Sequence, residues 1–205
     1  RSSEVSEGGG TGDMGYAWED ATMANWYGLP GDATDLFFIG HVRPSTSGPF
    51  GDLLCLHDGG VAIAGDTQSM RSWQLAVLCG CHTAGNVVFG GEGAVGLAYG
   101  AARAGTRAIV ASCRPIDFAS GDNSAQIAPE WGNMLSLFYR TYRTLRARPG
   151  RNSEPTIAAA LALQHAQADA IAHNCLPVTW GAAAVYCGRK MPVGDSHTQL
   201  AAGTG

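Results

Sequence analysis

The chain has 205 residues, enough for one domain whose hydrophobic core needs no disulfide or metal support. Hydrophobic residues make up 45% of the chain and charged residues only 15%, which excludes disorder of the whole. The net charge of −4 argues against direct binding to nucleic acid, and no apolar run is long enough to span a membrane. The six cysteines lie mostly in apolar runs and the first residues carry no signal region, so we expect a cytoplasmic protein with reduced thiols.

The first part of the chain predicts little regular structure. Residues 1–28 are expected to form a flexible or partial N-terminal segment, with a short amphipathic helix from Asp20 to Tyr27. Leu36–Ile39 is a continuous apolar run and predicts a strand buried on both faces, with His41 just past its end. Two further apolar runs around Asp58-Gly59-Gly60 indicate a hairpin.

The middle of the chain alternates between strand and helix patterns. Leu75–Cys79 predicts a second buried strand, and Cys81 follows it. The small residues of Ala94–Ala104 predict a helix ended by Gly105, and Ala108–Cys113 predicts a third buried strand.

The last third begins with a helical stripe of apolar residues over Trp131–Leu145, whose interleaved arginines 140, 143 and 146 are read as a solvated face. Glu154-Pro155 opens a helix that runs to about His173, and Thr179–Cys187 predicts a final strand. This alternation predicts an α/β domain with a central, mainly parallel sheet.

Chemically reactive side chains follow three of the predicted strands. They are His41, Cys81 and the pair Arg114 and Asp117. Ligands bind outside the carboxyl ends of parallel strands, so this edge is the candidate site. If the strands before His41 and Cys81 are neighbours, an imidazole and a thiol can both reach one substrate bond.

The segment that contains these residues resembles the core of the CHAT domain, a caspase-like family in the same clan as separase, gingipain and clostripain. That family has a strand followed by Ala-Cys-x-Thr-Gly, a Gly-Glu-Gly turn, a helix closed by Gly-Ala, another strand and a Trp-Pro-x-Asp motif. The matching residues are Gly80-Cys81-His82-Thr83, Gly91-Glu92-Gly93, Ala104-Gly105 and Arg114-Pro115-Ile116-Asp117. The resemblance covers residues 29–188, which we take as the domain, and leaves residues 189–205 as a tail.

The resemblance implies a caspase-like three-layer sandwich with helices on both faces of the sheet, and a cysteine endopeptidase that needs no cofactor or metal. Cys81 would be the nucleophile and His41 the proton donor to the leaving amine. The backbone N–H groups of Cys81 and Val42 would form the oxyanion hole. The partners would be a protein substrate and a regulatory or sensor domain or protein.

Two positions depart from the family pattern. Val42 stands where the family usually has Gly, and Arg114 stands where it has Trp. Asp117 matches the acid of the family motif and would favour a basic residue before the scissile bond. A preference for acidic residues is the alternative if Arg114 points into the pocket alone, and a preference for small or apolar residues is the third alternative.

Three other readings remain open. Gly91-Glu92-Gly93-Ala94-Val95-Gly96 has the form of a dinucleotide-binding loop but does not directly follow a strand. The cysteines near His82 lack the usual spacing of zinc ligands. The main alternative is a catalytically inactive caspase-like scaffold or effector-binding module that keeps Cys81 without using it.

Overall fold

The computed structural model of the chain describes residues 20–43, 52–62, 71–80, 83, 87–89, 93–114 and 124–187. The helices in these ranges are α1 (Met23–Tyr27), α2 (Leu97–Arg103), α3 (Ser124–Arg146), α4 (Pro155–Ala172) and α5 (Pro177–Trp180). The strands are β1 (Asp35–Ile39), β2 (Val42–Arg43), β3 (Leu53–Leu56), β4 (Gly59–Ala62), β5 (Leu75–Cys79), β6 (Val87–Phe89), β7 (Gly93–Val95), β8 (Ala108–Ser112) and β9 (Ala183–Cys187).

A four-stranded sheet in the order β1-β5-β8-β9 forms the centre of the described fold. β1, β5 and β8 are parallel, and β9 runs antiparallel to β8. The hairpin strands β2, β3 and β4 form a separate antiparallel sheet, and β6 pairs with β7. The prediction of a mainly parallel central sheet is therefore confirmed.

Side chains of the central strands alternate between two cores. Val77 and Val110 pack against α3 and α4, where Phe138 is fully buried. Leu78 and Ile109 point to the opposite face and pack with Leu97 of α2, together with Leu54 and Leu56 of the hairpin. Helices thus cover both faces of the sheet, as the caspase-like sandwich requires.

The predicted strands Leu75–Cys79 and Ala108–Cys113 form within one residue of their expected bounds and are buried on both faces. β1 also forms where it was expected, but it is buried on one face only. Phe37 is 38% exposed and Ile39 is 60% exposed, although the ring of Tyr139 on α3 contacts that of Phe37 edge to face. An apolar run alone does not reveal that a strand lies at one side of the described sheet.

The predicted helix Ala94–Ala104 is wrong in its first part. Residues 93–95 form β7 and pair with β6, and the helix begins only at Leu97, after Gly96. The high helix propensity of alanine is overridden here by pairing with a neighbouring strand.

The predicted strand Thr179–Cys187 and the helix Trp131–Leu145 also differ at their starts. The strand is preceded by α5, whose first residue is Pro177, and begins at Ala183. The long helix starts at Ser124, seven residues earlier than expected, and contains Pro129. The hairpin around Asp58 is confirmed, although Gly59 and Gly60 already belong to β4.

Candidate active site at the sheet edge

The carboxyl ends of β1 and β5 lie side by side. The two strands are parallel and in register, with Ile39 paired to Cys79. The backbone N–H of Gly40 donates to the carbonyl oxygen of Cys79 at 3.0 Å, so the pairing continues one residue past β1. The two strands that precede His41 and Cys81 are therefore neighbours, which was the condition for a shared site.

His41 is exposed and lies in the single-residue gap after Gly40 and before β2. Its carbonyl oxygen accepts a hydrogen bond from the backbone N–H of Cys55 at 2.9 Å. This bond fixes the backbone of His41 against β3 and leaves the imidazole on the surface at the sheet edge.

The next residue, Val42, pairs with Leu54 in the antiparallel ladder of β2 and β3. Hydrogen-bonded and non-hydrogen-bonded pairs alternate along such a ladder. Because Cys55 donates to His41, the pair of Val42 and Leu54 is of the non-hydrogen-bonded kind. The N–H of Val42 consequently points away from β3.

Gly80 lies in close contact with the residues on both sides of His41. A Cβ atom added to Gly80 would lie 2.7 Å from Cγ2 of Val42 and 2.8 Å from the carbonyl oxygen of Gly40. Both distances are far below van der Waals contact, so only glycine fits here. The absence of a side chain at Gly80 lets the two strand ends approach each other.

Thr83 ties the end of β5 to its surroundings through three hydrogen bonds. Its side chain is fully buried, and its Oγ1 donates to the carbonyl oxygen of Leu78 at 2.5 Å. The same oxygen accepts from the backbone N–H of Ser112 at 2.8 Å. The carbonyl oxygen of Thr83 accepts from the N–H of Ala98 at 2.9 Å, which adds α2 to the connection.

The structure describes some of the other predicted site residues but not all of them. Arg114 is exposed and lies two residues past the end of β8, on the same sheet edge as His41. Cys81, Asp117 and His82 lie outside the described residues. Of the possible dinucleotide-binding loop, Gly91 and Glu92 lie outside the described residues, while residues 93–95 form β7 and pair with β6. A dinucleotide-binding loop is a glycine turn between a strand and a helix, so the presence of β7 argues against that reading.

Cys79, two residues before Cys81, has the character of a core residue. It is buried among the side chains that pack on α3 and α4, and burial raises the pKa of its thiol to about 12. Cys79 is therefore a neutral, unreactive thiol at physiological pH. Among the described residues no group of three or more His, Cys, Asp or Glu side chains is arranged to hold a metal ion.

A protein-family model, the CHAT domain, matches residues 32–189. The chain belongs to the CHAT domain family. CHAT domains are a caspase-like, protease-related family, and the match spans both strand ends described above. No curated protein sequence matches the chain. Within the part of the CHAT domain that the structure describes, no helix has the length and apolar character needed to cross a bilayer.

Sequence reasoning assigned no role to Gly80 or Thr83. Both stand in the motif Gly80-Cys81-His82-Thr83, so the family pattern was the available signal. Their roles depend on contacts with residues far along the chain, such as Ser112, which is 29 residues from Thr83.

Proposed function

We propose that this CHAT domain is a cysteine endopeptidase that cleaves a protein substrate with Cys81 as nucleophile and His41 as its partner. The main observation that supports this proposal is the close approach of Gly80 to Gly40 and Val42. Gly80 is bonded to Cys81, while Gly40 and Val42 flank His41. Since adjacent Cα atoms are about 3.8 Å apart, this contact between their chain neighbours supports a short distance between the two reactive residues.

The reaction begins when the Cys81 thiolate attacks the carbonyl carbon of the scissile bond. The resulting tetrahedral intermediate collapses to a thioester as His41 gives a proton to the departing amine. Water then attacks the thioester, releases the carboxylate product and restores the thiol. Free cysteine has a pKa of about 8.5, so a positive charge close to Cys81 would increase the thiolate fraction at neutral pH.

The developing oxyanion would be stabilised by the N–H groups of Cys81 and Val42. The direction of the Val42 N–H, away from β3, supports this role because the group is not used by the ladder with Leu54. Val42 differs from the glycine usual in the family, and its side chain packs over Gly80.

We propose that Asp117 gives the enzyme a preference for a basic residue before the scissile bond, through a charge-assisted hydrogen bond. Arg114 is exposed on the same edge, which supports a location near the substrate. If Arg114 pairs with Asp117, the preference for a basic residue weakens.

We also propose that the enzyme is cytoplasmic, where thiols remain reduced, and that another domain or a partner protein controls it. The alternative, a catalytically inactive scaffold, is favoured by the two departures from the family pattern, Val42 in place of the usual glycine and Arg114 in place of the usual tryptophan.

Cleavage assays with matched variants test this function. We expect Cys81→Ala to abolish cleavage of a peptide library and His41→Ala to slow it by about 10²-fold or more. Cys79→Ala is the control, because Cys79 is buried and unreactive, and it should keep the activity of folded protein. Because the proposed regulation would keep the chain inactive on its own, the assay is run in an extract that contains its partners. Wild-type protein that in this extract neither cleaves peptides nor reacts with a peptide-based thiol probe would support the scaffold instead, as would cleavage that survives Cys81→Ala.

A further inference from the structure

Positive charge is concentrated in one part of this acidic chain. From Trp131 to Ser153 there is no Asp or Glu, but there are five arginines at positions 140, 143, 146, 148 and 151. Taking these five from the 13 basic residues leaves 8 against 17 acidic ones, so the rest of the chain carries a net charge of −9. Such a separation of charge indicates an electrostatic contact surface.

Two of these arginines line a groove between α3 and α4. The groove has a volume of about 660 Å³, and its walls include Arg140 of α3, Arg148 just past the end of α3, and His165 of α4. Leu137 and Leu145 supply apolar surface between the charged groups. The groove is thus a basic-edged depression with an apolar floor, on the sheet face covered by α3 and α4.

The neighbouring arginines, Arg143 and Arg146, have structural contacts within the fold, whereas Arg140 and Arg148 have fewer. Arg143 stacks over the ring of Tyr139 at 5.8 Å, and Arg146 donates to the carbonyl oxygen of Ser153. Both also lie in the last turn of α3, where a cation complements the helix dipole. The exposed side chains of Arg140 and Arg148 have no ion pair with any described residue.

We propose that this groove binds an acidic amphipathic helix of a partner protein or of another domain. The groove residues on α3 recur at one-turn intervals from Leu137 to Leu145. An amphipathic helix that binds in a groove also presents its contact residues at one-turn intervals, so the two spacings match. Arg140 lies on α3 and Arg148 lies two residues past its end, and both line the same groove, so together they favour a partner helix with more than one carboxylate on its contacting face. Leucines between those carboxylates would cover Leu137 and Leu145.

A nucleic acid fits the groove less well. Its phosphates would meet only a short basic strip on a chain whose net charge is −4, and the apolar floor would gain no contact from a sugar-phosphate backbone. The groove also lies on a face of the sheet rather than at the edge where His41 is found, so the proposal does not depend on protease activity.

The test uses a fluorescein-labelled helical peptide of about 15 residues, with leucines on one face and glutamates two turns apart beside them. Its binding to the whole chain is followed by fluorescence anisotropy. The double variant Arg140→Glu/Arg148→Glu should weaken binding by about tenfold or more, and binding should also weaken as salt concentration rises. The matched control, Arg43→Glu/Arg103→Glu, changes the net charge equally at exposed positions outside the groove and outside the basic segment, and it should bind as the wild type does.

A peptide with lysine in place of glutamate should bind the Arg140→Glu/Arg148→Glu variant better than it binds the wild type. Circular dichroism of each variant confirms that it is folded. Equal losses in the two double variants would overturn the proposal, because the attraction would then follow net charge alone. Absence of binding to the wild type would overturn it too. So would tighter binding of a single-stranded RNA of similar length that depends on Arg140 and Arg148.

Discussion

The backbone N–H of Ser112 donates to the buried Oγ1 of Thr83 at 2.8 Å, which joins the end of β8 to the loop that follows β5. The same Oγ1 donates to Leu78. Thr83→Val keeps the shape of the side chain but leaves both backbone partners unpaired, at a cost of about 1–3 kcal/mol in unfolding free energy. We expect kcat to fall more than KM rises, because Thr83 is only two residues from the proposed nucleophile Cys81 in the sequence.

Thr83→Ser is the matched control, since serine keeps the hydroxyl. It should recover most of the stability and the activity, as measured by denaturant unfolding and peptide cleavage. Equal loss of activity in the serine and valine variants would show that the hydroxyl is not what matters.

Gly80→Ala should damage both stability and activity. The new Cβ would press on Val42 and on the carbonyl oxygen of Gly40, and relief requires the ends of β1 and β5 to separate. Overpacking of this kind costs about 1–3 kcal/mol. Gly132→Ala is the control, because a Cβ at that exposed helical position meets no atom within 4 Å, and it should stabilise α3 slightly. A melting temperature unchanged by Gly80→Ala would contradict the close contact.

Asp117 and Arg114 should have opposite effects on substrate preference. In a positional-scanning library, Asp117→Asn should reduce the preference for Arg or Lys by about tenfold or more, since a charge-assisted hydrogen bond is worth about 1.5–3 kcal/mol. Arg114→Ala should strengthen that preference, because it removes a competing cation. A basic preference unchanged by Asp117→Asn would clear Asp117 of this role.

Glu130 should make stability depend on pH in the acid range. Partial desolvation acts to raise its pKa, but hydrogen bonds from Thr179, the Leu176 N–H and Gln126 lower it below the ordinary value. The carboxylate therefore stabilises the fold above its unfolded pKa, and this contribution is lost as pH falls through the folded pKa.

The melting temperatures of wild type and Glu130→Gln should accordingly differ at neutral pH and converge as the solution is acidified. Glu154→Gln serves as the comparison, because Glu154 forms an exposed ion pair with Arg107 that should contribute little. A constant difference between wild type and Glu130→Gln across this range would contradict the role of the Glu130 charge.

The local sequence pattern predicted the elements whose own residues carry a clear signal, such as a continuous apolar run. β5 and β8 are apolar throughout, and Pro155 at the first turn of α4 marked its start. Local patterns gave wrong predictions where contacts with another segment of the chain decide the conformation. Residues 93–95 become a strand through pairing with β6, and residues 177–180 become α5, where Glu130 binds both Leu176 and Thr179.

The sequence also predicted only part of the candidate site. The rule that ligands bind at the carboxyl ends of parallel strands selected His41 and Arg114, and the structure brings both to one edge of the sheet. The contact of Gly80 with Gly40 and Val42 was not predictable, because it depends on how closely two strands approach. The hydrogen bonds of Thr83 likewise require the complete fold.

Mass spectrometry of the chain after reaction with a peptide acyloxymethyl ketone carrying a basic terminal residue tests the assigned nucleophile most directly. The predicted result is a single adduct on Cys81, formed much more slowly in His41→Ala. Cys79 should stay unmodified, because burial raises the pKa of its thiol to about 12. An adduct on another cysteine, or labelling of Cys81 at the same rate with and without His41, would contradict the dyad.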